Sequence, residues 1–573
     1  MKPVHLLLLA ILIGLLGGRS SFALEDESAL VESLIQEMTL AQKVGQLFMV
    51  GLYGTEMTED ARDFITRYQP GSVVLFEYNV GTVASITQLV NDWQRTILSV
   101  GEVPLLVAVD QEGGRINTLE ESPFTQFPAP MLLTATRNHN LTFEVGRATA
   151  LELSAVGVHM NLAPIADLET NRRNSVMFRR SFGSDPQIVA PTLSAYIQGL
   201  QSEGVMATLK HFPGHGDTSA DSHVELPIIT KNMDALRQTE LQPFMAGIDA
   251  DVGAIMMGHL WLTELDPTDD VPASLSQAVV GGVLRNELGF DGLVMTDALD
   301  MDAIDTRYTL SEATLLAIQA GVDIITVGPH VGTKTIATAI EDLARSVEQG
   351  EVSVQRIDES VRRILSAKVR YGVMDWQAHT PEHAQALLEQ SPGGALLKPL
   401  FDEGTTIVYD DYNLLNQAQD PQSQVLLIYP FERLESVRYC QAHRPSTWIV
   451  GHSIPPSATQ LEEIARVSPM ADVIITFTQN ALLMPDQAIL PNTLPNEKTI
   501  VVAYWSPYDL DAFERRPGAY LTSYTPDHIA FDSICGIIFG AYPARGQLPI
   551  HLGSDLLAGT GVIRLGGMQN MLQ

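Results

Sequence analysis

Eight short runs of apolar and β-branched residues recur between residues 45 and 330, separated by stretches of helical periodicity. They are Leu47–Gly51, Ser72–Phe76, Leu105–Val109, Val158–Leu162, Val205–Leu209, Ala254–Met257, Leu293–Thr296 and Val322–Val327. Runs of this length between turn residues read as buried strands, and strands that alternate with helices build parallel sheets. Eight such units in a segment of this size predict an α/β fold of the (β/α)8 barrel type, whose chemistry lies at the carboxyl ends of the strands. A doubly wound open sheet is the alternative. Polar residues follow the runs in series: Asp110-Gln-Glu-Gly-Gly-Arg115 after the third, Asp167 after the fourth, Lys210-His211 after the fifth, His259 after the sixth and Asp297 after the seventh. Any one could be a cap or a turn residue, but five in series predict a common face.

A helical pattern over Arg356–Arg370 stops at Tyr371-Gly372, where glycine suits a helix C-terminus. Residues 373–395, with Pro381 and Ser391-Pro-Gly-Gly394, read as a linker. A second α/β pattern follows over 396–573, with strand candidates Thr406–Tyr409, Val425–Tyr429, Trp448–Val450, Val473–Phe477, Ile500–Tyr504 and Gly536–Phe539. At 573 residues the chain is long for one core, which agrees with two domains.

The amino terminus reads as a secretory signal over residues 1–23: Lys2, an apolar run of 11 from Leu6 to Leu16, and a small-x-small cleavage site at Ser21-Phe22-Ala23. The mature chain is expected to begin near Leu24, exported to a periplasm or the extracellular space, with 24–372 forming the barrel domain. An uncleaved anchor is the alternative, although 11 residues are too few to span a bilayer. With 35 Lys+Arg against 68 Asp+Glu, the net charge of -33 repels phosphate backbones and anionic lipid, so neither nucleic acid nor a stable membrane partner is expected. Cys440 and Cys535 are the two cysteines, and spacing leaves their pairing open.

The densest polar stretch runs from Lys210 to His223, Lys-His-Phe-Pro-Gly-His-Gly-Asp-Thr-Ser-Ala-Asp-Ser-His, placed where a strand gives way to a loop. Within it, Asp221 lies two residues from His223, where a turn can bring carboxylate to imidazole. Imidazole titrates near neutrality, and a paired aspartate orients the ring and favours its charged form, which suits acid and then base work. A histidine in a loop is more often a polar surface residue; its neighbour Asp221 and the composition of the loop set His223 apart. Asp297, directly after an apolar strand, is held rigidly and suits a nucleophile attacking an oxocarbenium-like centre. Asp300 and Asp302 lie beyond the strand end and read as loop or helix-start residues. Lys210, His211 and Arg180 suit the holding of hydroxyls or an acyl carbonyl, and Asp110 can accept two hydroxyl hydrogens from a sugar. Gly113-Gly114 gives the chain freedom to turn there.

These residues resemble glycoside hydrolase family 3, and within it the β-N-acetylhexosaminidase branch. The matching segments are Val109–Arg115, Asn161–Asp167, Arg180–Pro186, Lys210–Asp217 with Asp221-Ser-His223, and Met295–Leu299. The resemblance implies that Asp297 is the nucleophile, His223 the acid/base and Asp221 its partner, and that Asp110, Arg180, Lys210 and His211 contact N-acetylglucosamine. It also implies a C-terminal α/β sandwich over 396–573; neither a cofactor nor a catalytic metal is expected. Other branches take their acid/base glutamate from elsewhere, so His223 favours a hexosaminidase over a β-glucosidase. One departure is Thr118, where many members carry an arginine; Arg172, Arg173 and Arg179 are candidate substitutes.

The expected function is a retaining exo-β-N-acetylglucosaminidase acting on a carbohydrate substrate such as peptidoglycan fragments or chitin-type oligosaccharides. Three rivals remain. A phosphorylase is open because neutral imidazole repels an incoming phosphate less than glutamate does. A metal-dependent hydrolase would use His211, His215, His223, His259, Asp217 and Asp221, but Pro213 and Gly214 break the helix that makes His-x-x-x-His a ligand pair. A non-catalytic glycan-binding protein is disfavoured because Asp297, Asp221 and His223 are all present. Oligomeric state is not legible.

Overall fold

The computed structural model describes residues 21–566, apart from 102, 121, 173, 175, 176, 178, 179, 219–221, 223, 268, 269 and 329 and the side chains of 21–26. Most of the expected signal segment thus lies outside the described residues. Among those described, no helix is long and apolar enough to cross a membrane.

Eight strands form one sheet: β1 (Phe48–Gly51), β2 (Ser72–Leu75), β3 (Leu106–Val109), β4 (Met160–Asn161), β5 (Met206–Phe212), β6 (Ala254–Met257), β7 (Leu293–Thr296) and β8 (Ile325–Val327). They follow one another in chain order around the sheet, with β8 hydrogen-bonded to β1, and every pairing in it is parallel. A bridge from Met295 to Ile324 brings β7 to the start of β8, so the sheet is a nearly closed barrel rather than an open one. Strands buried on both faces have no polar side to show, which is why β1, β2, β3, β6 and β7 read as unbroken apolar runs.

β5 departs from expectation. It runs through Lys210 and His211 to Phe212, so both polar residues stand on the strand and not in the loop after it. The Lys210 carbonyl accepts from the Ala166 amide at 2.7 Å, extending the ladder past the apolar part. The pairing with β6 is irregular between Leu209 and Phe212, where the two polar side chains are placed.

Helix Val354–Arg370 closes the amino-terminal end of the barrel and stops at Gly372, whose φ of 71° is left-handed. Its Lys368 is fully buried, donating to Gln46 Oε1 and to the Pro104 carbonyl at 2.8 Å each. Burial pushes this amine down to about 7. The segment that reads as a linker carries the helix Pro381–Glu389, and the helix Gly393–Gly404 begins at its end.

The second sheet holds β9 (Thr406–Asp410), β10 (Val425–Pro430), β11 (Trp448–His452), β12 (Val473–Thr478), β13 (Thr499–Ala503) and β14 (Ala519–Thr522), in the order β9-β14-β13-β12-β10-β11. β9 is antiparallel to β14 and the other pairs are parallel. One strand candidate is overturned: Gly536–Ile538 ends the helix His528–Ile538, and Phe539 follows it. Nearly all of that helix is buried, so its apolar residues surround it and leave no 3.6-residue period to read. The sixth strand is instead Ala519–Thr522. The same helix settles the cysteines, because Cys535 is disulfide-bonded to Cys440 with a Cα–Cα distance of 4.9 Å.

Candidate active site

Four charged residues meet at the carboxyl end of the barrel: Asp110 and Glu112 just after β3, Lys210 on β5 and Arg180 in the segment after β4. Lys210 donates to Asp110 Oδ1 at 2.5 Å and lies 2.7 Å from Glu112 Oε1. Arg180 holds the same Glu112 with two parallel bonds, Nε to Oε2 at 2.9 Å and Nη2 to Oε1 at 2.8 Å. Burial by itself would raise the Glu112 pKa, but Arg180 and Lys210 outweigh it and hold the carboxyl at about 2. The cations are held charged in turn: burial opposes this, while Asp110 and Glu112 push Lys210 up and Glu112 pushes Arg180 up. Glu112 is 1% exposed and Asp110 26%, so Glu112 is the internal counter-charge and Asp110 the carboxylate open to a ligand. Gly113 and Gly114 turn the chain between these residues and the next segment, at φ 90° and 64°. A Cβ on Gly114 would stand 2.8 Å from Ala129 Cα.

A second chain of contacts leads to Asp297. His211 donates from Nδ1 to Asp167 Oδ2 at 2.7 Å, and the His211 and His215 amides also point at that carboxylate, His215 at 2.6 Å. A carboxylate on Nδ1 orients the ring. It leaves Nε2 facing Asp297 Oδ2 at 3.9 Å, beyond hydrogen-bond distance. Asp297 accepts the Ala298 amide at 2.8 Å and is 20% exposed, enough for an incoming group to reach it. Burial pushes its pKa up, but His211, His259, the Ala298 amide and Lys210 together bring it below the ordinary aspartate value. His259 lies under this loop, its Nε2 donating to the Ala298 carbonyl at 3.0 Å and its Nδ1 accepting from Ser274 at 2.8 Å. Burial pushes its pKa below the ordinary imidazole value, against the opposing pull of Asp297.

Asp221 and His223 lie outside the described residues, as do Arg173 and Arg179. The segment that leads to the pair is built against the site. Gly216 is pressed against the Leu168 carbonyl, where a Cβ would stand 1.6 Å away, and Lys231 binds Asp217 at 3.1 Å and also pairs with Glu240. Ser222 Oγ is 3.2 Å from His215 Nε2.

The remaining candidates separate. Asp300 accepts the Gly328 amide at 2.7 Å beyond β8, and Asp302 opens the short helix Asp302–Asp305. Thr118 is buried beside the site, its amide donating to the Asp110 carbonyl at 2.9 Å, and so offers backbone order in place of a charged donor. Arg172 does not replace that donor, because it pairs with Asp511 and donates to the His551 carbonyl. His211, His215 and His259 each face different partners rather than one centre, and among the described residues no group of three or more His, Cys, Asp or Glu side chains is arranged to hold a metal ion.

Two residues here carry no role in the sequence reading. Glu112 and Asp110 are two apart, a spacing that puts both on one side of an extended chain, and this was the available signal. Asp167 gave none beyond its place after β4.

Residues 39–367 match the family model described as "Glycosyl hydrolase family 3 N terminal domain". The solved structure of a glycoside hydrolase family 3 β-N-acetylglucosaminidase from Paenibacillus sp. str. FPU-7 superposes with a TM-score of 0.77 at 31% identity, covering 90% of this chain and 99% of that one. Beta-hexosaminidase A of Pseudoalteromonas piscicida is 27% identical over 87% of this chain and 91% of its own. Beta-hexosaminidase LpqI of Mycobacterium tuberculosis (strain ATCC 25618 / H37Rv) is 33% identical over 57% of this chain and 82% of its own.

Proposed function

The chain belongs to glycoside hydrolase family 3, and on that premise we propose that it is an exported, retaining exo-β-N-acetylglucosaminidase. It is a glycoside hydrolase acting on carbohydrate. In the proposed mechanism the Asp297 carboxylate attacks the anomeric carbon of a terminal N-acetylglucosaminide while His223, oriented and charged by Asp221, protonates the departing oxygen. Neutral His223 then takes a proton from water, which attacks the same carbon and releases the sugar with Asp297 regenerated. Asp110, Arg180, Lys210 and His211 hold the sugar, Asp110 as acceptor and the cations as fixed donors. Residues 24–372 form the catalytic domain, 373–395 the linker and 396–573 a C-terminal domain that supplies no reacting group.

The observation that carries this reading is the environment of Asp297. A nucleophile must be ionised yet reachable, and Asp297 is held below the ordinary aspartate pKa while 20% exposed, beside the Lys210–Glu112–Arg180 cluster. The sugar identity is supported by the names of the relatives that match most of the chain.

The test is product analysis across an aryl N-acetylglucosaminide, chitobiose, muropeptides and an aryl glucoside, in phosphate and in phosphate-free buffer. Free N-acetylglucosamine of retained configuration from the first three is expected. Sugar 1-phosphate as the product, or preference for the glucoside, would overturn the reading. Asp297→Ala is expected to abolish turnover, and a mechanism-based fluorosugar to label Asp297. Asp221→Ala should lower the rate on the order of 10²-fold.

A further inference from the structure

Residues 168–185, which follow β4, touch the active site on one side and the C-terminal half on the other. On the inner side Arg180 grips Glu112, Ser181 Oγ donates to the Asp167 carbonyl at 2.6 Å, and Asn174 Nδ2 donates to the His215 carbonyl at 3.0 Å. On the outer side the Arg172 guanidinium pairs with Asp511, donates to the His551 carbonyl at 2.9 Å and lies 5.3 Å from the centroid of the Tyr508 ring. The Ser184 amide donates to the Pro549 carbonyl at 3.1 Å and the His551 amide to Ser184 Oγ at 3.0 Å. Gly183 lies flush against the same strand of chain, where a Cβ would meet the Pro549 oxygen at 2.3 Å. Sequence separations of 339, 379 and 367 residues cross in these hydrogen bonds.

A lone surface ion pair contributes little and would carry no argument. Arg172 differs because carboxylate, carbonyl and ring take its charge, its donors and its planar face together, a combination lysine cannot supply. The internal bonds of the segment then pass this fixation inward: Glu169 donates to the Gly183 carbonyl at 2.9 Å, and the Arg180 and Ser181 amides to the Met177 carbonyl at 3.0 and 3.2 Å.

We propose that the C-terminal half is a positioning element for the barrel's site: by gripping Arg172 and Gly183-Ser184 it fixes Arg180 on Glu112 and, through Asn174, the base of the segment leading to Asp221 and His223. Arg172 is a positioning residue that touches no substrate. The inference rests on the proposed reading of Arg180 as a sugar contact. Displacing a binding group by about 1 Å can cost on the order of 10²-fold in catalysis, so a loosened segment is felt at the sugar although its anchor is remote.

The experiment compares the full-length chain with Arg172→Ala, Arg172→Lys and Asp511→Ala by hydrogen–deuterium exchange and by kinetics on an aryl N-acetylglucosaminide. Faster exchange is expected at the amides of Glu169, Gly183 and Ser184, with β6 and β7 unchanged. KM should rise on the order of tenfold with a smaller change in kcat, and Arg172→Lys should recover protection only in part. Unchanged exchange in both alanine variants would overturn the proposal, as would faster exchange with wild-type KM. A wild-type chain that released no sugar would defeat the functional reading instead, and exchange would still decide whether the C-terminal half holds the segment.

Discussion

Glu112 bears the charge balance of the site, since two cations lean on one buried carboxylate. Removing it takes the carboxylate from Arg180 and leaves Lys210 with Asp110 alone, and breaking a buried pair of this kind costs about 3–5 kcal/mol. Glu112→Gln is therefore expected to lower Tm and to reduce kcat/KM on the order of 10²-fold or more, read by thermal unfolding and by aryl-glycoside kinetics. The pH dependence has a definite sign. The Glu112 pKa is about 2 in the folded chain against 4.5 for the free group, so its contribution is complete above pH 4.5 and is lost as pH falls toward 2. The variant should lack that part of the acid limb, and an identical limb would place the pairing elsewhere. At this scale residue types were legible and partners were not: Asp110 and Glu112 read alike in Asp-Gln-Glu-Gly-Gly, and burial alone leaves one open at the site and makes the other an internal counter-charge.

Elements were legible where strands are buried on both faces and bounded by turns. Ala254–Met257 and Leu293–Thr296 match their runs residue for residue. β5 was cut short because polarity reads as a strand end, whereas a barrel mouth lets a strand stay paired while its side chains meet carboxylates from neighbouring segments. The helix His528–Ile538 failed for the opposite reason, being buried on all but the narrow side that carries His528 and Asp532. Helix Val354–Arg370 supplies a prediction of its own. Its Lys368 is held at about 7 against 10.5 for the free amine, so the unfolded chain binds more protons between those values and stability rises with pH by about 1.4 kcal/mol per unit across that window. Lys368→Met should remove this slope, raising Tm more at pH 6 than at pH 10. Equal shifts at the two pH values would mean the amine stays charged.

At the scale of the whole molecule, a net charge of -33 places much of the surface in mutual repulsion. Screening shortens from about 30 Å at 0.01 M salt to about 8 Å at 0.15 M, so Tm is expected to rise over that range; a flat response would show the acidic side chains already locally paired. The disulfide between Cys440 and Cys535 ties two helices of the C-terminal half together, and the contacts of Arg172, Gly183 and Ser184 join that half to the barrel. The sequence by itself determined the alternation of strands and helices, the family, and the kinds of group that gather after the strands, because period, burial and residue type are local properties of the chain. Only the tertiary structure decided that Lys210 and His211 stand on a strand, that Asp167 orients His211, that Glu112 charges both cations and that Arg172 faces the C-terminal half. Each of these is a pairing between residues far apart in the chain, set by which surfaces close on one another, and no local pattern encodes it.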